Sequence, residues 1–501
     1  MLKLKLYIDG QYVDAERGGS RQSINPFNGE PIATFAWADE RDAEKAIAAA
    51  RHAFDHGPWR EMTGSERKDL LNRMAQLLQE RIEHFARNEV LDAGALIGKA
   101  RTDVGLCART LRYYAKMAER YNREPQPVED SIRPGRSLVY TVREPLGVCG
   151  QIIPWNFPIT MAIWKLGAAL ATGNTVVLKC APETPVSALE LGQLCEDAGV
   201  PPGVVNIITG DVEAGETLVR SPQVDKIAFT GSTDVGRRIA AVAADTMKHI
   251  TLECGGKSAN IVLKDADPEV AVDGSLYAAF FHCGQICVSG TRLLLDEIRY
   301  DEFLDRLVDR TRGMKIGDPM DPETQIGPLI SERQMKRVLK YIDLGKREGA
   351  KLSIGGKRAK GGVLDNGFFV EPTIFSEVSN DMTIAREEIF GPVLCVLRYG
   401  NVDEAVRIAN DSIYGLAAGV WSRDLPEAWR VAAQINAGWV WINEWHIMTE
   451  RAPFGGYKHS GIGREFSEEG LNAYTEVKTV FQDDTKGRDA KVWYDMILPR
   501  A

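Results

Sequence analysis

Residues 146–179 read LGVCGQIIPWNFPITMAIWKLGAALATGNTVVLK. An apolar run over 146–153 ends in a turn bracketed by Pro154 and Pro158. A helical segment over 160–171 follows, and a second apolar run, 175–179, closes the unit. Short apolar runs separated by a helical segment are the pattern of a βαβ unit, whose parallel strands are joined by a crossover helix. The alternation continues outward. Apolar runs at 204–209, 226–229 and 250–253 alternate with helical segments at 186–198, 214–220 and 235–245, which predicts a Rossmann-like parallel sheet.

Beyond a boundary placed near 255–257 the pattern repeats in weaker form. Strands are expected at 260–263, 291–296, 350–354, 393–399, 418–421 and 439–443, with helices at 269–281, 300–312, 331–348 and 402–409, making a second α/β domain. Before the opening unit, apolar positions at helical spacing predict helices over 40–54, 65–88 and 100–119. The segment 121–134 is rich in Pro, Arg, Glu and Asp without periodicity and reads as a loop or excursion; 137–143 and 472–481 read as strands.

With 501 residues, two or three domains are expected. A net charge of −9 and an ordinary composition leave no electrostatic footprint for nucleic acid or anionic membrane. There is no run of 18 apolar residues and the first ten residues read as a strand entering a turn, so a cytoplasmic protein is expected. The eight cysteines form no paired framework and read as reduced thiols. Cys283 and Cys287 are spaced C-x3-C, which fits neither a redox pair nor half a zinc site, so no metal is expected.

Several residues carry candidate chemistry. Cys287 lies in a polar, Gly-flanked turn between apolar runs, where a thiol can face a cleft, although a free cysteine more often packs as a small hydrophobe. Glu253 ends a strand just before Gly255 and Gly256, which allow a tight turn or a close approach to a ligand. Asn156 sits in the rigid Pro154–Pro158 turn, which can fix an amide donor of the kind an oxyanion needs. Lys179 stands at the carboxyl end of a strand, where open α/β sheets bind ligands. The stretch Phe229 to Gly236 is a strand, polar turn and helix start suited to a phosphate, and equally a plain capped helix. Two look-alikes of a nucleoside triphosphate loop, 94–99 and 256–258, lack the required glycine spacing.

Together these residues resemble the aldehyde dehydrogenase superfamily over nearly the whole chain. The motifs occur in family order: Pro-Trp-Asn-Phe-Pro at 154–158, Val-Leu-Lys at 177–179, Phe-Thr-Gly-Ser-Thr at 229–233, Leu-Glu-x-Gly-Gly-Lys at 252–257, Gly-Gln-x-Cys at 284–287, Glu-Glu-Ile-Phe-Gly-Pro at 387–392 and Pro-Phe-Gly-Gly-Tyr-Lys-x-Ser-Gly at 453–461. The resemblance implies a dinucleotide-binding domain over 1–122 and 144–255, a catalytic domain over 256–455, and oligomerisation segments at 123–143 and 472–501, in a homodimer or homotetramer. It implies oxidation of an aldehyde to an acid with NAD, Cys287 as nucleophile, Glu253 as general base and Asn156 in the oxyanion site. Cofactor contacts would come from Ile152, Pro154, Trp155, Lys179, Gly231, Ser232, Val235, Glu388 and Phe390. Phe157, Trp164, Ile286, Trp445, Met448 and Phe454, joined by Leu106, Met161 and His446, would line the substrate channel.

Such an aromatic funnel suits medium aliphatic or aromatic aldehydes, and also cationic aminoaldehydes through cation–π contact. Aminoaldehyde, betaine aldehyde and semialdehyde oxidation are the alternatives, with a coenzyme A-acylating enzyme or a non-catalytic binding protein further off. Two departures stand out. Cys254 replaces an apolar residue, and Pro182 stands where many NAD-preferring members carry a Glu that would repel a 2′-phosphate, so NAD with some NADP use is expected.

Overall fold

The computed structural model describes residues 2–121, 125–129 and 137–498. Residues 146–179 form the expected βαβ unit: Val148–Ile152 and Thr175–Lys179 pair in parallel, Ile152 opposite Lys179, with helix Pro158–Ala171 between them. Pro158 starts the helix, where its missing N–H costs nothing, and Gly173 at φ 89° lets the chain turn back just past its end. Thr175–Lys179 is buried along its whole length, as a parallel strand covered on both faces must be.

The unit sits at the centre of an eight-stranded sheet. From one edge the strands are Gly461–Ile462, His249–Glu253, Lys226–Thr230, Val148–Ile152, Thr175–Lys179, Val205–Ile208, Leu6–Ile8 and Gln11–Val13, the middle five parallel. Chain order runs outward from Val148–Ile152 in one direction and then resumes on its other side with Lys226–Thr230. The strand order therefore reverses between these two, which opens a crevice at their carboxyl ends. A second, seven-stranded sheet runs Lys351–Ile354, Thr373–Ser376, Val393–Tyr399, Arg292–Asp296, Ala259–Val262, Ala417–Trp421 and Trp439–Ile442, parallel except for its first strand. The chain passes from the first sheet to the second between Glu253 and Ala259 and returns through Gly461–Ile462. Strands Ser137–Pro145 and Thr475–Asp483 pair antiparallel over nine residues in a separate three-stranded sheet with Gln126–Val128.

Four expectations are corrected. The single helix expected over 65–88 is two, Gly64–Glu80 and Ile82–Ala93, because Arg81 leaves helical geometry at φ −106° and ψ 20°. Strand Thr373–Ser376 and helix Leu425–Ala432 were not anticipated; the strand is four residues long and buried on both faces, so it shows no alternation. Part of the aperiodic segment 121–134 is a strand, Gln126–Val128; its residues 122–124 and 130–134, like parts of 123–143 and of 472–501, lie outside the described residues. Among the described residues no helix is long and apolar enough to cross a membrane, and no cluster of His, Cys, Asp and Glu could hold a metal ion.

Candidate active site

The carboxyl ends of Val148–Ile152, Lys226–Thr230 and His249–Glu253 deliver Pro154–Phe157, Thr230–Ser232 and Glu253–Gly255 to a single cavity of about 1150 Å³. The second sheet's domain supplies Ile286–Val288 and Glu387, Glu388 and Phe390 to the same cavity. Three residues far apart in sequence, Asn156, Glu253 and Cys287, thus share one wall system.

The turn carrying Cys287 is built under backbone constraint. His282, Cys283 and Gly284 are consecutive left-handed residues at φ 50°, 56° and 70°, a conformation that persists only where the surroundings impose it. At Gly284 a Cβ would lie 2.3 Å from the Gly391 carbonyl oxygen, and at Gly256 one would lie 2.3 Å from the Cys287 carbonyl oxygen, so both positions require glycine. His282 Nε2 bonds the Asn156 carbonyl at 2.8 Å, and Asn156 Nδ2 donates to the Gln285 carbonyl at 2.8 Å, which locks the Asn156 turn onto the Cys287 loop. One Nδ2 hydrogen remains for a ligand.

Cys287 is the one half-buried cysteine among eight free ones. Burial, with the carboxylates of Glu388 and Glu253 nearby, pushes its thiol up to about 12. Glu253 is 4 % exposed, and neither carboxylate oxygen has a hydrogen-bond partner among the described residues. Burial, reinforced by Glu465, holds its acid form well above the ordinary carboxylate range against the opposing pull of Lys165 and Arg464. Behind it lies a buried ion pair, Lys165 Nζ to Glu465 Oε1, both side chains at most 3 % exposed.

The crevice end fits a dinucleotide. Glu388 lies so close to the Gly255-Gly256 turn that a Cβ on Gly255 would meet its Oε2 at 2.4 Å, and Gly256 N donates to its Oε1 at 3.0 Å. Burial pushes the Glu388 carboxyl up to about 7. Thr230 Oγ1 is buried without a partner beside Ser232, whose hydroxyl accepts from Val235 N at 3.4 Å and caps helix Thr233–Ala243. The Trp155 and Phe390 rings meet edge to face at 5.3 Å. Of the expected cofactor contacts, Pro154, Trp155, Gly231, Ser232, Glu388 and Phe390 line the cavity. Ile152, Lys179 and Val235 do not; Ile152 and Lys179 pack beside Gly215, and Val235 is exposed.

At the other end the walls are aromatic. Trp164 packs on Phe466 at 4.2 Å and on Phe454 at 5.7 Å, and Phe157, Ile286, Met448, Leu106, Met161 and His446 also line the space. Trp445 is corrected. It is fully buried, donates its indole N–H to the Val288 carbonyl at 3.1 Å, and supports the Cys287 loop from behind instead of lining the cavity. Sequence reasoning missed Phe466 and most of a polar stripe on helix Ile97–Ala118. Lys99, Asp103, Leu106, Arg109 and Thr110 all reach the cavity, and the helical spacing continuing from Leu106 in both directions was the available signal. Lys99 Nζ sits 3.7 Å over the Phe157 ring, and Arg109 Nε donates to Glu450 Oε2 at 3.0 Å.

The sequence profile of the aldehyde dehydrogenase family matches residues 12–480. A betaine aldehyde dehydrogenase of Bacillus subtilis is 46% identical over 481 residues, 95% of this chain and 97% of that protein. The mitochondrial aldehyde dehydrogenase of Homo sapiens is 46% identical over 480 residues, 95% of this chain and 91% of the relative. Among solved structures, the NAD+ complex of an aldehyde dehydrogenase from Bacillus cereus superposes with a TM-score of 0.93 at 44% identity, covering 96% of this chain and 97% of that one. A betaine aldehyde dehydrogenase from Staphylococcus aureus, also with NAD+, gives 0.94 at 38% identity, covering 97% and 96%. The chain belongs to the aldehyde dehydrogenase family.

Proposed function

We propose that this chain oxidises an aldehyde to its carboxylic acid, with NAD as the main hydride acceptor and some use of NADP, acting on medium aliphatic or aromatic aldehydes. The observation that carries the reading is the convergence of Cys287, Asn156 and Glu253 where the aromatic channel meets the crevice of the parallel sheet. Cys287 Sγ bonds to the aldehyde carbon as its proton passes to solvent, the C=O π bond opens, and the carbonyl oxygen takes the negative charge. The free Nδ2 hydrogen of Asn156 and the backbone N–H of Cys287 stabilise that oxygen. Glu388, Ser232 and the walls of Trp155 and Phe390 would hold a nicotinamide dinucleotide, which would supply the hydride acceptor. When the C–H bond of the adduct breaks with loss of hydride, the oxyanion re-forms the C=O bond and the acyl group remains on Cys287 Sγ as a thioester. Glu253 takes a proton from water, whose oxygen attacks the acyl carbon, and the thiol leaves as the acid forms. Because burial favours its acid form, the ionised Glu253 is a stronger base than an exposed carboxylate.

On this reading the two sheets divide the work over the boundaries implied by the motifs. The first, 1–122 with 144–255, carries the dinucleotide, and the second, 256–455, carries the nucleophile. The segments 123–143 and 472–501 serve assembly: in the described part of that sheet Leu138, Val477, Val480 and Phe481 are exposed, and a second copy in a homodimer or homotetramer would cover them. Eight free cysteines accord with a cytoplasmic location. A second reading, oxidation of a cationic aminoaldehyde or betaine aldehyde, is favoured by the aromatic walls, whose ring faces suit a cation, and by the two betaine aldehyde dehydrogenases among the relatives named above. The test is an NAD-reduction panel over aliphatic, aromatic, amino and carboxylated aldehydes with Cys287→Ala as control. Activity confined to amino or carboxylated aldehydes would replace the first reading, and acyl-CoA as product would replace hydrolysis.

A further inference from the structure

Pro182 and Glu183 form the tip of the turn that joins strand Thr175–Lys179 to helix Val186–Ala198. This turn stands at the carboxyl end of the strand next to the crevice, where open parallel sheets hold their ligands. The Pro182 side chain carries no charge and no hydrogen-bonding group, so position 182 neither attracts nor repels an added phosphate. Glu183 is the anionic group that remains, and with Asp211 it acts on the buried Lys179 ammonium. A carboxylate here, left to itself, would still oppose a 2′-phosphate.

It is not left to itself. Arg333, on helix Glu332–Arg347 of the other domain, reaches across, and its Nη2 donates to Glu183 Oε1 at 2.7 Å. The two partners are held very differently. The Glu183 side chain is 21 % exposed, whereas the Arg333 side chain is 82 % exposed and Glu183 is its one polar partner among the described residues. Arg333 also lines the cavity, as do Arg337 and Lys340 farther along the same helix. Arg337 is already committed, donating to the Glu388 carbonyl at 2.9 Å. An ion pair as exposed as Arg333–Glu183 is weak, and a planar guanidinium gains more from two parallel bonds to a phosphate.

We propose that Arg333 is the specificity-determining residue for a 2′-phosphorylated dinucleotide, neutralising Glu183 at rest and exchanging it for the 2′-phosphate when that ligand binds. The inference rests on the crevice being a dinucleotide site. It would let the chain accept NADP despite a carboxylate in the turn. NAD, which offers a ribose hydroxyl in place of the phosphate, leaves the Arg333–Glu183 pair intact.

The test is binding, read by calorimetry on the full-length protein without aldehyde, with NAD, NADP and 2′,5′-ADP as probes. Arg333→Ala is expected to weaken NADP and 2′,5′-ADP by about ten- to a hundredfold, the loss of a charge-assisted bond, and to change NAD by less than about threefold. Arg333→Lys recovers part of the loss, because the charge returns without the fork. Glu183→Gln tightens NADP severalfold and leaves NAD unchanged, which a merely structural role for the pair would not produce. Arg333→Ala shifting NAD and NADP together, or leaving NADP untouched while NAD still binds, overturns the proposal alone. Failure of the unaltered protein to bind either dinucleotide overturns it along with the crevice reading.

Discussion

Glu253→Gln tests the site most directly, because the substitution keeps shape and volume and removes only the ability to exchange a proton. Neither Glu253 oxygen has a partner among the described residues, so no hydrogen bond to them is broken, and the residue is 4 % exposed, so water does not take over its place. A positioned general base contributes about 10²- to 10⁴-fold, or about 3 to 5 kcal/mol of barrier at 1.36 kcal/mol per tenfold. The loss should fall on thioester hydrolysis and spare hydride transfer. In a stopped-flow experiment at 340 nm the variant should give a burst of NADH approaching one per site, followed by a steady rate lower by about two to four orders of magnitude. A variant that loses the burst in proportion to the steady rate would refute the assignment of Glu253 to hydrolysis. Stability supplies an independent readout. A carboxyl whose folded value is raised contributes stability that is complete below its unfolded value of about 4.3 and is lost as pH rises toward the folded value. The Gln variant should therefore melt above the unaltered protein at pH 8 and lose that advantage near pH 4.5. A melting difference independent of pH would show that Glu253 ionises in the folded protein as freely as in the unfolded chain.

Two further outcomes follow from the same surroundings. With its thiol pushed up to about 12, Cys287 of the ligand-free protein should react with iodoacetamide about tenfold faster per pH unit between pH 8 and 10; a plateau by pH 8.5, read by mass spectrometry of the modified peptide, would contradict the assigned burial and carboxylate effects. Glu465→Ala leaves the Lys165 ammonium buried and unpaired, which should cost about 3 to 5 kcal/mol and lower the unfolding temperature, and Lys165→Met combined with Glu465→Leu should recover most of it. Equal melting of the single and double variants would refute that explanation.

The sequence by itself determined the succession of elements and the chemical types at the site. The periodicities that decide helix or strand are local, and so strands such as Thr175–Lys179 and Val393–Tyr399 and helix Tyr300–Arg312 were legible to the residue. Where local pattern and packing diverge, only the tertiary structure decided. Strand Thr373–Ser376 is too short and too uniformly buried to show alternation, and Arg81 divides one apolar periodicity into two helices. Trp445, an aromatic residue beside channel residues in the chain, faces Val288 and the core because burial depends on which element packs against it. Lys99 and Arg109 gain their place only when helix Ile97–Ala118 packs against the cavity. The bond from Arg333 to Glu183 joins residues 150 positions apart on two domains, and no periodicity in the chain could have foretold it. Local rules choose the residues; the meeting of the two sheets chooses which of them touch.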